Sequence, residues 1–121
     1  MARLEQPPKY AAIKKIALAL PGASEVIYRG VWFNVGTKTF VCSSSRDERW
    51  TFKLPRDRQM MYFEVRPETF APMRAGKLLW SYVKVEDLSA AELRDLIIAA
   101  WRMVATKKLQ GELAEFQALP H

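Results

Sequence analysis

The sequence is poor in the residues that carry most enzyme chemistry. It holds one cysteine and one histidine, and the histidine is the last residue, His121. A single thiol excludes an internal disulfide and makes a reducing, cytoplasmic setting the expectation. Chain ends fray, so a terminal histidine is a poor general base or metal ligand. Cys42 therefore has no imidazole to activate it and is expected as a buried structural thiol. No Cys/His cluster has zinc spacing, and neither a G-x-G-x-x-G stretch nor a lysine-bearing phosphate loop occurs. The acids do not gather either. Asp47-Glu48 and Glu86-Asp87 are adjacent pairs in loop-like stretches, which suits solvation better than acid–base work. These absences argue against an ordinary acid–base or metal enzyme, and no catalytic residue, metal or cofactor is expected.

Long apolar runs are missing as well. The longest stretch without a charge, Ile16–Ser24, has nine residues, whereas a membrane-spanning helix needs about 20. Met1 to Pro8 contains no apolar run ahead of a small-residue cleavage site, so a secretory signal is not expected. There is no internal repeat, low-complexity tract or linker. A chain of 121 residues that is half apolar suits one soluble domain, with an ordered core over about residues 9–110.

What the chain has in excess is positive charge. It carries 19 Lys/Arg against 13 Asp/Glu, for a net charge of +6. The excess is uneven: residues 1–78 hold 14 cations and 7 anions, and residues 79–121 hold 5 and 6. A basic first part followed by a nearly neutral end suits a surface that meets a polyanion. Charge retained only for solubility is the plainer alternative.

The apolar pattern divides the chain into helices and strands. Ile13, Ile16, Ala17 and Leu20 form one helical stripe, stopped by Pro21-Gly22. Val31–Val35 and Lys38–Cys42, joined by Gly36-Thr37, read as a tight hairpin. A two-residue loop then sets Phe33 opposite Phe40, Val31 opposite Cys42 and Trp32 opposite Val41. Trp50–Leu54 alternates as a further strand, and Pro55 opens a short helix to about Glu64. An irregular connection over 65–77 leads to a strand at Leu78–Val85. Ser89-Ala90-Ala91-Glu92 is a capping box, and it starts a helix predicted from about Ala90 to Lys107 with Leu93, Leu96, Ile97, Ala100 and Trp101 buried. The expected fold is two-layer α+β, an antiparallel sheet of four to five strands with the N- and C-terminal helices on one face.

In that fold Phe33, Phe40, Phe52, Leu54, Val83 and Val85 point to the helices. The other face carries Trp32, Thr39, Val41, Thr51, Lys53, Trp80, Tyr82 and Lys84. Aromatics interleaved with lysines suit base stacking with phosphate neutralisation. Lys38 at the first hairpin tip and Arg46 and Arg49 at the second suit wings that grip phosphates. The candidate nucleic-acid-binding residues are thus Lys38, Arg46, Arg49, Lys53, Lys84, Trp32, Trp80 and Tyr82. The alternative use of the same aromatic face is docking of a protein partner or of a second copy of the chain, as in a chaperone-like adaptor.

Several of these pieces resemble the MmcQ/YjbR-like proteins, in order and spacing, over about residues 10–110. They are Ala17-Leu18-Ala19-Leu20-Pro21-Gly22-Ala23, the hairpin Phe33–Phe40, Phe52-Lys53-Leu54-Pro55, Leu79–Val85 and Ala100–Leu109. The resemblance implies a two-layer fold similar to secretion-chaperone-like domains and a DNA-binding role through a double-wing arrangement of hairpins. It implies no catalytic set. The chain departs from the family pattern at Leu79, where glycine is usual, and at Gly36-Thr37-Lys38, where lysine usually follows glycine directly.

Overall fold

The computed structural model describes residues 7–44, 49–73 and 79–118. The elements run α1 (Tyr10–Leu18), β1 (Ala23–Ile27), β2 (Gly30–Val35), β3 (Lys38–Ser44), β4 (Trp50–Lys53), α2 (Arg56–Val65), β5 (Phe70–Pro72), β6 (Trp80–Val83), α3 (Ala90–Arg102) and α4 (Lys107–Ala118). The strands form one sheet in the order β1-β2-β3-β4-β6-β5, every pair antiparallel.

Three helices cover one face of it. Tyr10 of α1 donates its hydroxyl to Glu25 of β1, and Ser81 of β6 donates to Gln59 of α2. Helix α3 lies between them over β3 and β4. This is the two-layer α+β fold the pattern predicts, with six strands in place of four or five. The two additional strands are β1 and β5. The first is a run of only five residues ending at Ile27, with a turn through Tyr28, Arg29 and Gly30 that returns the chain into β2. The second has three residues and ends in Pro72, which can only serve a sheet edge because it has no N–H to donate.

The core is built as the alternation requires. Phe33, Phe52 and Val83 are buried with Phe40, Leu54 and Val85 against Leu93, Leu96, Ile97 and Trp101. Among the described residues the one fully buried side-chain amide, Gln59, is satisfied on both sides: it donates to the Leu54 carbonyl at 3.0 Å and accepts from Ser81 at 2.7 Å. A buried polar group that keeps its partners costs little.

Helix α3 opens on the expected capping box, with Glu92 N–H donating to Ser89 Oγ at 3.1 Å and Ser89 N–H to Glu92 Oε1 at 3.0 Å. It ends at Arg102, five residues before the predicted Lys107. Val104 continues the apolar stripe and is buried, so the pattern alone cannot register the break. The chain turns there and restarts at α4, where the Thr106 hydroxyl accepts from Leu109 N–H.

The Glu92 carboxyl is held below the usual carboxylate range, first by the Ser89 backbone N–H and then by the Arg66 guanidinium. A depressed folded-state pKa stabilises above the unfolded value, and that stabilisation is lost as pH falls through the folded value. Glu92→Gln keeps an acceptor for the cap but does not titrate. Its unfolding midpoint in urea should therefore be lower than that of the parent at pH 7, and the gap should close as pH falls past the unfolded glutamate value of about 4.3 and through the lower folded value. A constant gap across that range would mean that ionisation of Glu92 does not contribute.

The hairpin register differs from the expected one. The two-residue loop is as predicted, with Gly36 at φ 61° and Val35 opposite Lys38. Two residues later a β-bulge inserts Phe40, so Asn34 pairs with Thr39 but Phe33 pairs with Val41 rather than Phe40. An extra residue exchanges the faces of everything beyond it. Phe40 and Val41 both enter the core, which moves Val41 off the outer face. Cys42 goes the other way, opposite Trp32 instead of Val31.

Candidate nucleic-acid interface

The outer face is the layer without a described helix. Its central row runs Trp32, Cys42, Thr51, Tyr82 and Ala71 across five strands. Nearer the Gly36-Thr37 turn lie Asn34 with Thr39 and Lys53 with Trp80. Among the described residues the only carboxylate in a strand, Glu25, is on the helical side, bound to Tyr10 and Lys14. The outward-facing strand positions thus combine three aromatics and a lysine with no acid.

Trp32 and Tyr82 bracket a floor of two small residues. Three strand steps separate them, about 14 Å at the usual spacing. The indole N–H donates to the Tyr28 carbonyl at 2.7 Å, which fixes the ring. On the other side the Arg49 guanidinium lies 3.7 Å from the centre of the Tyr82 ring, an arrangement that holds a cation against the face. Between them Cys42 is 8% exposed and Thr51 6%, with Cys42 Sγ 3.0 Å from Thr51 Oγ1. Burial pushes the Cys42 thiol up, and the Thr51 hydrogen bond pulls it part of the way back. Native Cys42 should react slowly with a neutral thiol reagent and rapidly once unfolded. Trp32→Ala should raise the native rate at least tenfold, because the indole stands directly across the ladder. An unchanged rate in a folded variant would show that the tryptophan does not shield the thiol.

The cations expected at two wing tips lie at opposite ends of the sheet. Hairpins β2–β3 and β3–β4 share β3, so Lys38 and Arg49 are separated by that strand's seven residues, about 20 Å. Arg46 and the Asp47-Glu48 pair lie outside the described residues. The hairpin that shares an end with Arg49 is β1–β2, whose turn carries Arg29 at φ 52°. Its axis is two strand steps away, roughly 10 Å. Arg29 went unrecognised because β1 did; Val26-Ile27-Tyr28 ahead of Arg29-Gly30 was the available signal. Lys84, exposed just after β6, joins the same end and lies 3.9 Å from Asp87. Asp87 also accepts from Thr69, so it is a structural acceptor. A pocket of about 250 Å³ opens here, where Arg49, Tyr82 and Lys84 meet Glu68 and Glu86. Lys53 and Trp80 face each other on neighbouring strands towards the Lys38 end.

Among the described residues no group of three His, Cys, Asp or Glu side chains could hold a metal ion, and no helix is long and apolar enough to cross a membrane. The family model YjbR matches residues 18–103, which span all six strands and helices α2 and α3. The chain belongs to the YjbR family. Its fold is similar to that of the Deinococcus radiodurans protein DR2400, a crystal structure with the domain DUF419. That likeness has a TM-score of 0.72 over 93% of this chain and 92% of that one, at 18% sequence identity. No curated protein matches the sequence. The YjbR match covers the whole outer face, from Trp32 to Tyr82, and both ends of the sheet.

Proposed function

We propose that this YjbR-family protein binds DNA with low sequence specificity. Cations at the ends of the sheet, chiefly Arg29, Arg49 and Lys84 at one end with Lys38 and Lys53 towards the other, would neutralise phosphates along a duplex. The observation that carries the reading is the acid-free outer face with cations at both ends, in a chain of net charge +6. A phosphate backbone is attracted to such a surface whatever its sequence, because the free energy comes from releasing counterions. Glu68 and Glu86 beside Arg49 are the opposing charges. They lie off the strands and leave the central row uncharged. The test is titration of a labelled blunt duplex at 50 and 200 mM salt. Three phosphate contacts predict an affinity loss of about 40-fold between the two. Absence of binding below about 100 μM at 50 mM salt, weaker than ordinary non-specific binding, would refute the reading.

A second reading is favoured by one observation. Val26 and Ile27 are exposed on β1, which is an edge strand, and Tyr28 is exposed just after it. An open edge with apolar side chains is a template for pairing with another chain. A protein-interaction or chaperone-like role would show as a partner or self-association whose strength tolerates salt.

A further inference from the structure

We infer that the row between Trp32 and Tyr82 stacks unpaired bases, so that the preferred ligand is a duplex that continues into a single strand. This rests on the DNA-binding reading and specifies what its aromatic half recognises. Six strands make a sheet roughly 24 Å wide, while the major groove of a duplex is about 12 Å wide. The flat face cannot enter the groove, and inside a duplex the flat faces of the bases are already covered by their neighbours. Cations at the ends of the sheet can reach a duplex backbone, but Trp32 and Tyr82 can engage only bases that have come out of the stack.

The geometry of the row fits that task. The floor between the two rings, Cys42 and Thr51, is small and uncharged. Trp32 is fixed by its bond to the Tyr28 carbonyl, so little rotamer freedom is lost when a base stacks on it. Arg49 against Tyr82 places a charge 3.7 Å from the ring centre, next to where the phosphate of a stacked nucleotide would run. Lys53 provides a second cation on the same face, beside Trp80. The strand spacing of about 14 Å between Trp32 and Tyr82 matches two to three bases at the ordinary stacking distance of roughly 3.4 Å. Every base has a π-face, so this recognition is tolerant of sequence, in keeping with low-specificity binding.

The experiment compares a labelled 20-base-pair blunt duplex with the same duplex carrying a 10-nucleotide single-stranded tail, at 50 mM salt. A DNA tail and an RNA tail are tested separately. The tail should tighten binding at least tenfold. Trp32→Ala should remove that gain, a loss of about 5- to 150-fold per stacked base, read as the ratio of tailed to blunt affinity within the variant. Trp32→Phe, which keeps a ring, should restore most of the gain. Should Trp32→Ala fail to fold, Tyr82→Ala tests the other wall, with thermal unfolding measured for each variant. Blunt and tailed duplexes bound equally, or a tail gain unaltered in folded Trp32→Ala and Tyr82→Ala, overturns the inference while leaving the DNA-binding reading intact. Failure of both ligands to bind overturns both.

Discussion

Arg29→Glu combined with Arg49→Glu should lower duplex affinity on the order of a hundredfold at 50 mM salt and reduce the slope of log K against log salt by about two. The estimate follows from counterion release. Each phosphate contact contributes a slope of about 0.9, hence roughly 1.2 decades at 50 mM relative to 1 M salt. The control is Arg94→Glu with Arg102→Glu. Both arginines are exposed on α3, in the helical layer, and the change in net charge is the same. It should leave the slope within about half a unit. Equal losses from the two pairs would make the effect one of total charge and remove the assignment to the Arg29 end of the sheet. Both doubles need a thermal unfolding check, because Arg49 also rests on Tyr82. The Arg29 site adds a detail of its own. Its backbone lies in the left-handed region, and Arg29→Gly should stabilise the turn while deleting one cation. A variant that is more stable yet binds less tightly would separate charge from folding.

Trp101→Ala should cost about 3–5 kcal/mol of stability, the largest single-residue loss expected in the molecule. Trp101 is fully buried in α3, and its indole N–H donates to the Pro21 carbonyl at 3.0 Å. That bond ties the central helix to the turn between α1 and β1. The same turn is held from the other side. Gly22 sits at φ 72°, and a Cβ there would lie 2.9 Å from a Leu109 methyl of α4. Truncation therefore opens a cavity where α1, α3, α4 and the first strand meet. Trp101→Phe separates the two components. It keeps most of the packing but leaves the Pro21 carbonyl without its donor, at a cost of about 1–3 kcal/mol. Urea titration measures both. A loss below about 1 kcal/mol for Trp101→Ala would mean that the site collapses without a cavity and that α3 is not the keystone of the helical layer.

The outer face and the core face are decided by different information in this chain. Local signals were enough for most of the fold. The capping box at Ser89 and Glu92, the stripe from Leu93 to Trp101 and the alternation Trp50–Leu54 each depend on neighbours within one or two turns, and each is present as expected. The assignment of Phe33, Phe40, Phe52, Leu54, Val83 and Val85 to the core follows from the same alternation. The family pattern was legible too, because its pieces lie in these well-defined elements.

The limits are equally local in origin. Strand β5 has too few residues to show a period, and β1 was hidden because its partner lies just across a three-residue turn. The side chains that form the candidate interface were recognisable as types, but their grouping was not. Trp32, Tyr82, Lys53 and Trp80 were assigned to the outer face, where they lie. Lys38 and Arg49, expected at the tips of two successive hairpins, are a strand length apart, since successive hairpins in an antiparallel meander turn at alternate ends of the sheet.

By itself, then, the sequence determined the two layers, the core residues and the excess of positive charge, because periodicity and composition are properties of the chain. Only the tertiary structure decided that Cys42 faces outwards beside Trp32, that Val41 faces inwards and that Arg29 joins Arg49 at one end. The reason for the first two is the bulge at Phe40; for the third it is the pairing of β1 with β2, which turns at the same end of the sheet as β3–β4. Core packing takes in both Phe40 and Val41, and one extra residue in a structure of period two reverses every side chain that follows.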